Sequence, residues 1–179
     1  MDMAGLQEKV SQIYSRHRKV GSGLNAIEKR LKALDEHIRH SENFKNRRSV
    51  KRQYDELYSQ YESARKVKGL GAERKAQKAL DTANKYYKDN RTEIVLYESA
   101  ERYLRDVLQE RFNPNKLPPI TKWTEERTAK TAEKKMLYQE YYSLKDEVKE
   151  VEIIRRNVEE IMRDESRETQ RTRTQGLEL

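Results

Sequence analysis

At 179 residues the chain is long enough for one ordinary domain, but 34% hydrophobic residues against 39% charged ones leave little material for a large globular core. Six glycines, three prolines and two phenylalanines among many Lys, Arg, Glu, Gln, Leu and Ala match the composition of long helices, and no alternating run of β-branched and aromatic residues supports a sheet. The net charge of +8 is uneven, with +7 falling in residues 41–91 and −2 in 121–165, and the lack of cysteine excludes disulfide frameworks and thiolate zinc sites.

From Leu6, the residues Val10, Ile13, His17, Val20, Leu24, Ile27, Leu31, Leu34 and Ile38 follow one another at alternating four- and three-residue steps. Such a heptad seam lines one edge of a helix with apolar groups and predicts knobs-into-holes packing over residues 4–40. Gly21 and Gly23 lower helix propensity by roughly 1 kcal/mol each relative to Ala, so a weak point or bend is expected there. The register is lost after His40, which predicts a turn near 41–46. A second, shorter helix over 47–67 follows, carried by Val50, Tyr54, Leu57, Tyr61 and Ala64.

Gly69 and Gly71 mark the next turn, since glycine reaches left-handed backbone angles without steric cost. A helical pattern then runs over 72–112, with Lys88-Asp89-Asn90 as an expected interruption. All three prolines lie in 113–119, the clearest loop of the chain. Thr121 is a candidate cap for a long helix over 121–165, whose seam reads Leu137, Tyr141, Leu144, Val148, Val151, Arg155, Val158 and Met162, widened by Ile154 and Ile161. Residues 166–179 show no period and little apolar surface, and are expected to be disordered.

The fold class expected is therefore all-α: an elongated antiparallel helical bundle or coiled coil of about four helices over 1–165, with turns near 41–46, 69–71 and 113–119 and a disordered C-terminal tail. A seam left open would lead to homo-oligomers, because an uncovered apolar stripe is unfavourable in water. No stretch approaches the ~18 apolar residues of a membrane span and the N-terminus has no leader-like order, so no membrane contact and a cytoplasmic setting are expected.

Candidate chemistry is sparse. His37 and His40 share a helix face, but the spacing supplies no glutamate as in helical zinc motifs, and exposed or seam-edge histidines are the plainer reading. The tyrosine clusters at 54, 58 and 61 and at 138, 141 and 142 have helix-packing spacing and no basic pocket to hold a phenolate. Gly69-Leu70-Gly71 lacks the following Lys-Ser/Thr of a phosphate loop. No catalytic residue, metal or cofactor is expected. What remains is a basic stretch: Lys45, Arg47, Arg48, Lys51, Arg52, Arg65, Lys66, Lys68, Arg74, Lys75 and Lys78, interleaved with tyrosines. Such a pattern suits phosphates and unpaired bases, and it equally suits a solvated face or a protein contact.

The run Leu137-Tyr138-Gln139-Glu140-Tyr141-Tyr142-Ser143-Leu144-Lys145-Asp146-Glu147-Val148, continuing through Ile153, Ile154, Arg155, Arg156, Asn157 and Val158, resembles the C-terminal helical region of relaxases, the mobilisation nucleases of plasmids and integrative elements. The ending RTQGLEL and the segment YYKDNRTEIVLYESAERYL (86–104) are similar as well, and the resemblance extends over roughly residues 25–179. In that family a separate nuclease domain carries the nicking tyrosine and a metal-binding histidine cluster. This chain matches neither, so no catalytic role transfers to any residue. The resemblance implies a non-catalytic accessory part that contacts single-stranded or transfer-origin DNA, or else mobilisation and coupling proteins, with Met1 as an internal start within a longer ancestor. The other reading is a structural coiled-coil scaffold or self-association protein that binds no nucleic acid.

Overall fold

The computed structural model describes the backbone of residues 3–175 and the side chains of 5–170. The fold is an all-α helical bundle, with no strand among the described residues. Among the described residues four α-helices, α1 (Met3–Lys66), α2 (Ala72–Asp89), α3 (Arg91–Leu108) and α4 (Ile120–Gln175), are joined by short connections, and a 3-10 turn at Gln109–Arg111 follows α3. The chain divides into two compact units, one of Met1–Arg30 with Lys130–Leu179 and one of Leu31–Ala129.

In the first unit, α1 and α4 pack antiparallel. Arg16 pairs with Glu140 at 3.2 Å, Glu28 accepts from Lys134 at 3.0 Å and from Tyr138 at 2.8 Å, and Tyr14 donates to Glu152. Lys134 and Tyr138 between them hold the Glu28 carboxyl below the usual glutamate pKa. Val20, Leu24 and Leu144 form the small core, with Leu137, Tyr138 and Tyr141 against it. His17, the one polar residue of the predicted seam, stacks on the Tyr141 ring with centroids 4.5 Å apart.

The expected weak point at Gly21 and Gly23 is an uninterrupted part of α1. A Cβ on Gly21 would stand 3.6 Å from the Tyr141 ring, and one on Gly23 would stand 3.6 Å from Leu137 Cδ1. The seam passes straight over these positions, so helix–helix packing offsets the low propensity of the two residues.

The turn expected near 41–46 does not form, and the helices predicted over 4–40 and 47–67 are one helix of 64 residues. The seam is interrupted only in appearance. It continues as Leu34, His37, Ser41 and Phe44, of which Leu34, Ser41 and Phe44 are fully buried. Ser41 keeps its hydroxyl satisfied inside the helix by donating to the His37 carbonyl at 2.7 Å, a bond that lets a polar residue occupy a core position.

Phe44 is the centre of the second unit. Its ring stacks on Tyr97 at 4.9 Å and meets Phe112 edge-on at 6.0 Å, within a cluster that includes Leu34, Ala100, Leu104 and Trp123. His37 and His40 belong to this packing rather than to an exposed edge. His37 Nδ1 lies 2.8 Å from the Tyr103 hydroxyl, and its ring lies 5.0 Å from Trp123. His40 stacks on Tyr103 at 4.0 Å.

The pattern over 72–112 resolves into α2 and α3, broken at Asn90 as expected, where the backbone N–H and the side-chain amide both donate to the Tyr86 carbonyl at 3.0 Å. The 69–71 turn and the 113–119 connection form where predicted. The last helix begins at Ile120, and the first-turn bond runs from the Trp123 N–H to the Pro119 carbonyl at 3.3 Å, so Pro119 rather than Thr121 leads the helix.

α4 continues to Gln175, past the boundary at 165 where disorder is expected from the sequence. No glycine or proline interrupts residues 120–175, and Ser166 and Thr169 bond back to the carbonyls of Met162 and Glu165. Side chains 163–170 are all exposed, in keeping with the absence of a seam there, and the remaining expected-tail residues 176–179 lie outside the described ones.

Candidate nucleic-acid interface

The eleven predicted basic residues all belong to the second unit, and the structure separates them into three groups. Arg47 and Lys51 continue the α1 seam toward α3. Arg47 Nε lies 2.8 Å from Glu93, and Lys51 Nζ lies 3.3 Å from Glu98 and 2.6 Å from Asp55. Burial opposes the Lys51 charge, yet the bonds and attraction from Asp55 and Glu98 hold its pKa above the usual lysine value. Both residues are engaged in joining α1 to α3.

Arg48 and Arg52 line a cleft of about 370 Å³ with Lys51, Asp55, Tyr97 and the loop residues Pro114 and Asn115. Burial, then the Glu101 carboxylate, pushes the Tyr97 phenol above its ordinary pKa, while Arg48 and Lys51 pull it back. Neither Arg48 nor Arg52 makes an ion pair with a described residue. Asp55 and Glu56 on the same wall lower the positive potential of this cleft. Lys45 is exposed one turn before it.

The third group is the hairpin tip between α1 and α2, which carries Arg65, Lys66, Lys68, Arg74, Lys75 and Lys78, all exposed. Glu73 is the only acidic residue between 63 and 80. None of the six cations forms an ion pair with a described residue. The two arms of the hairpin are held together by Tyr54 against Tyr87 at 5.3 Å and by the Tyr86 hydroxyl donating to Gln53 at 3.1 Å. At the tip the Ala72 N–H donates to the Gly69 carbonyl at 3.1 Å, and Gly71 has φ 80° and ψ −1°, the angles of the third residue of a type II turn. Gly69, at φ 135°, is likewise in a region that side chains disfavour.

The basic surface reaches further than the sequence pattern indicates. Lys85 and Lys88 are exposed on α2 and fall on the same helical face as Arg74 and Lys78. Ala83, Tyr86 and Tyr87 occupy the opposite, packed face. At a rise of 1.5 Å per residue this row extends for about 21 Å from Arg74 to Lys88. Asp81 lies in the row but accepts a hydrogen bond from Gln77 at 2.9 Å. The signal for Lys85 and Lys88 is the heptad-like spacing that continues from Arg74 and Lys78, hidden by the tyrosines beside them.

The tyrosines have packing roles. Tyr58 meets Tyr61 at 5.6 Å, and the Tyr138 hydroxyl is held by Glu28. Bonding to Glu152 raises the Tyr14 pKa, bonding to Glu28 raises that of Tyr138, and burial raises those of Tyr54 and Tyr103, the direction opposite to that of a phenolate nucleophile. Among the described residues no group of three or more histidines and carboxylates is placed to hold a metal ion. No described helix is long and apolar enough to cross a membrane.

No family model matches this chain, and no curated protein or solved structure shows significant similarity to it.

Proposed function

We propose that this chain is a non-catalytic DNA-binding module that assists the mobilisation of a plasmid or integrative element, acting beside a relaxase. The observation that carries the DNA reading is the set of unpaired, exposed cations on the α1–α2 hairpin. Six guanidinium and ammonium groups around the hairpin tip, with a basic row down α2, raise the local positive potential, and a polyanion that they neutralise gains by releasing its own condensed counterions. The link to mobilisation rests on the resemblance of residues 137–158 and 86–104 to relaxase C-terminal helices. The scaffold reading is favoured by Arg47 and Lys51, which act inside the bundle and leave fewer cations for a ligand.

The test is equilibrium binding of single- and double-stranded oligonucleotides over a range of salt, for the natural chain and for a variant with Lys66, Lys68, Arg74, Lys75 and Lys78 changed to Gln. These five positions are exposed, so the bundle should keep its helicity. Binding should weaken steeply with salt, and the slope in the variant should be shallower by about 0.9 for each duplex phosphate that the variant no longer neutralises. Absence of binding at low salt, or an unchanged slope, would favour the scaffold.

A further inference from the structure

The hairpin tip holds an apolar group that the packing of the bundle does not use. Leu70 has a relative exposure of 110%, more than a leucine in an extended chain, and Val67 beside it is 62% exposed. A single exposed leucine is ordinary on a protein surface. This one stands at the corner of a type II turn, at the end of a helical hairpin, with Lys66, Lys68, Arg74 and Lys75 close around it in sequence. The turn requires positive φ only at its third residue, Gly71, and Leu70 one position earlier is left fully exposed, covered by neither helix of the hairpin.

We propose that Leu70 is a wedge residue. The hairpin meets duplex DNA tip-first, the surrounding cations hold the phosphates on either side, and the leucine side chain enters a base step from the minor groove and unstacks it. This inference rests on the DNA-binding reading above and specifies its mode. Aliphatic side chains inserted at flexible steps are a general means of bending duplex DNA, and the cost of unstacking is offset by the additional phosphate contacts that the bend permits. The basic row Arg74, Lys78, Lys85 and Lys88 provides those contacts along α2. Single-strand recognition is the less suitable alternative, because it relies on aromatic faces for stacking and residues 62–85 contain none. An anionic bilayer would also attract the cations. It would meet a row on α2 whose outward face carries no apolar residue to insert, since the apolar face of that helix packs inward around Ala83.

The experiment uses the full chain and a short A·T-rich duplex with 2-aminopurine at a central TA step. Binding of the natural chain should raise the 2-aminopurine fluorescence, as the base leaves its stack. Leu70→Ala should bind about tenfold more weakly, the equivalent of losing one buried leucine, with no fluorescence rise and an unchanged salt slope. Leu70→Met should retain both binding and signal. Circular dichroism should show equal helicity for all three. Duplex binding with full salt dependence but no fluorescence change, or a rise that persists in Leu70→Ala, would overturn the wedge and leave the DNA-binding reading intact. Failure to bind any DNA would remove both. Leu70-dependent binding to phosphatidylserine vesicles in place of the duplex would replace both with a membrane contact.

Discussion

The first unit and the second use the same heptad periodicity, but they bury very different cores. In the first, two helices meet along a seam, and among the described residues Val20, Leu24 and Leu144 form the buried cluster, with Ile27 also buried. In the second, the single α1 seam of Leu34, His37, Ser41 and Phe44 meets residues of α3 and of the start of α4 together, and Leu34, Phe44, Tyr97, Ala100, Leu104 and Trp123 close around one another. A two-helix seam shields one edge of each helix and leaves the neighbouring positions in water. Ile154, Ile161 and Met162, which belong to or widen the predicted seam of α4, are accordingly exposed. Periodicity therefore indicates where helices meet, and the number of elements meeting there decides how much is buried.

This difference is open to direct tests. The largest effect is expected from Phe44→Ala, which empties the aromatic centre of the second unit and should cost about 3–5 kcal/mol in denaturant unfolding. Leu144→Ala in the first unit should cost less, about 2–3 kcal/mol, because a thin seam is freer to collapse into the space. Hydrogen exchange should locate the damage: faster exchange over 3–30 and 130–160 for Leu144→Ala, and over 31–129 for Phe44→Ala. Equal costs at the two sites would show that the second unit is no better enclosed than the first.

Gly21→Ala and Gly23→Ala should act in the opposite direction. An added Cβ meets Tyr141 and Leu137 at ordinary contact distance, 3.6 Å in each case. Each substitution should therefore stabilise the protein by about 0.5–1 kcal/mol through helix propensity alone, read as a rise in the unfolding midpoint. A destabilisation would mean that the helices approach too closely there to admit a methyl group.

The smallest expected effect is the pH response of the second unit. Burial against Tyr103, reinforced by the neighbouring Arg39 charge and opposed by Glu36, lowers the His40 pKa from its ordinary 6.5. A histidine whose folded pKa is depressed favours the folded state when neutral. Its contribution is present above about 6.5 and is lost as pH falls through the lower folded value. The unfolding temperature should fall between pH 7.5 and pH 5, and His40→Phe, which keeps a ring for stacking but removes the titration, should flatten that dependence. An unchanged slope in His40→Phe would assign it to other groups.

Much of the fold was legible because helices announce themselves locally. The 69–71 turn, the break at Asn90 and the 113–119 connection follow from single-residue chemistry: glycine at positive φ, a side-chain amide competing for a helix carbonyl, and proline without a donor. The turn expected at 41–46 fails because polar residues at 37 and 41 occupy core positions and carry the seam on to Phe44. Ser41 and His37 look like a break in an apolar pattern, and only their partners, the His37 carbonyl and the Tyr103 hydroxyl, explain why they can be buried.

The candidate interface divides in the same way. Its net positive charge was readable from 41–91 because formal charge is a property of composition. Which cations face outward was not, since Arg47 and Lys51 are drawn inward by Glu93 and Glu98, nearly half a hundred residues later in the chain. Amino-acid order by itself determined the all-α class, the glycine and proline turns and the basic character of the first half, all of which depend on backbone preferences and charge within a few residues. Tertiary structure alone decided that α1 is a single helix, that Phe44 centres a core, and that Leu70 stands bare among unpaired cations, because each depends on what a distant segment covers or leaves in water.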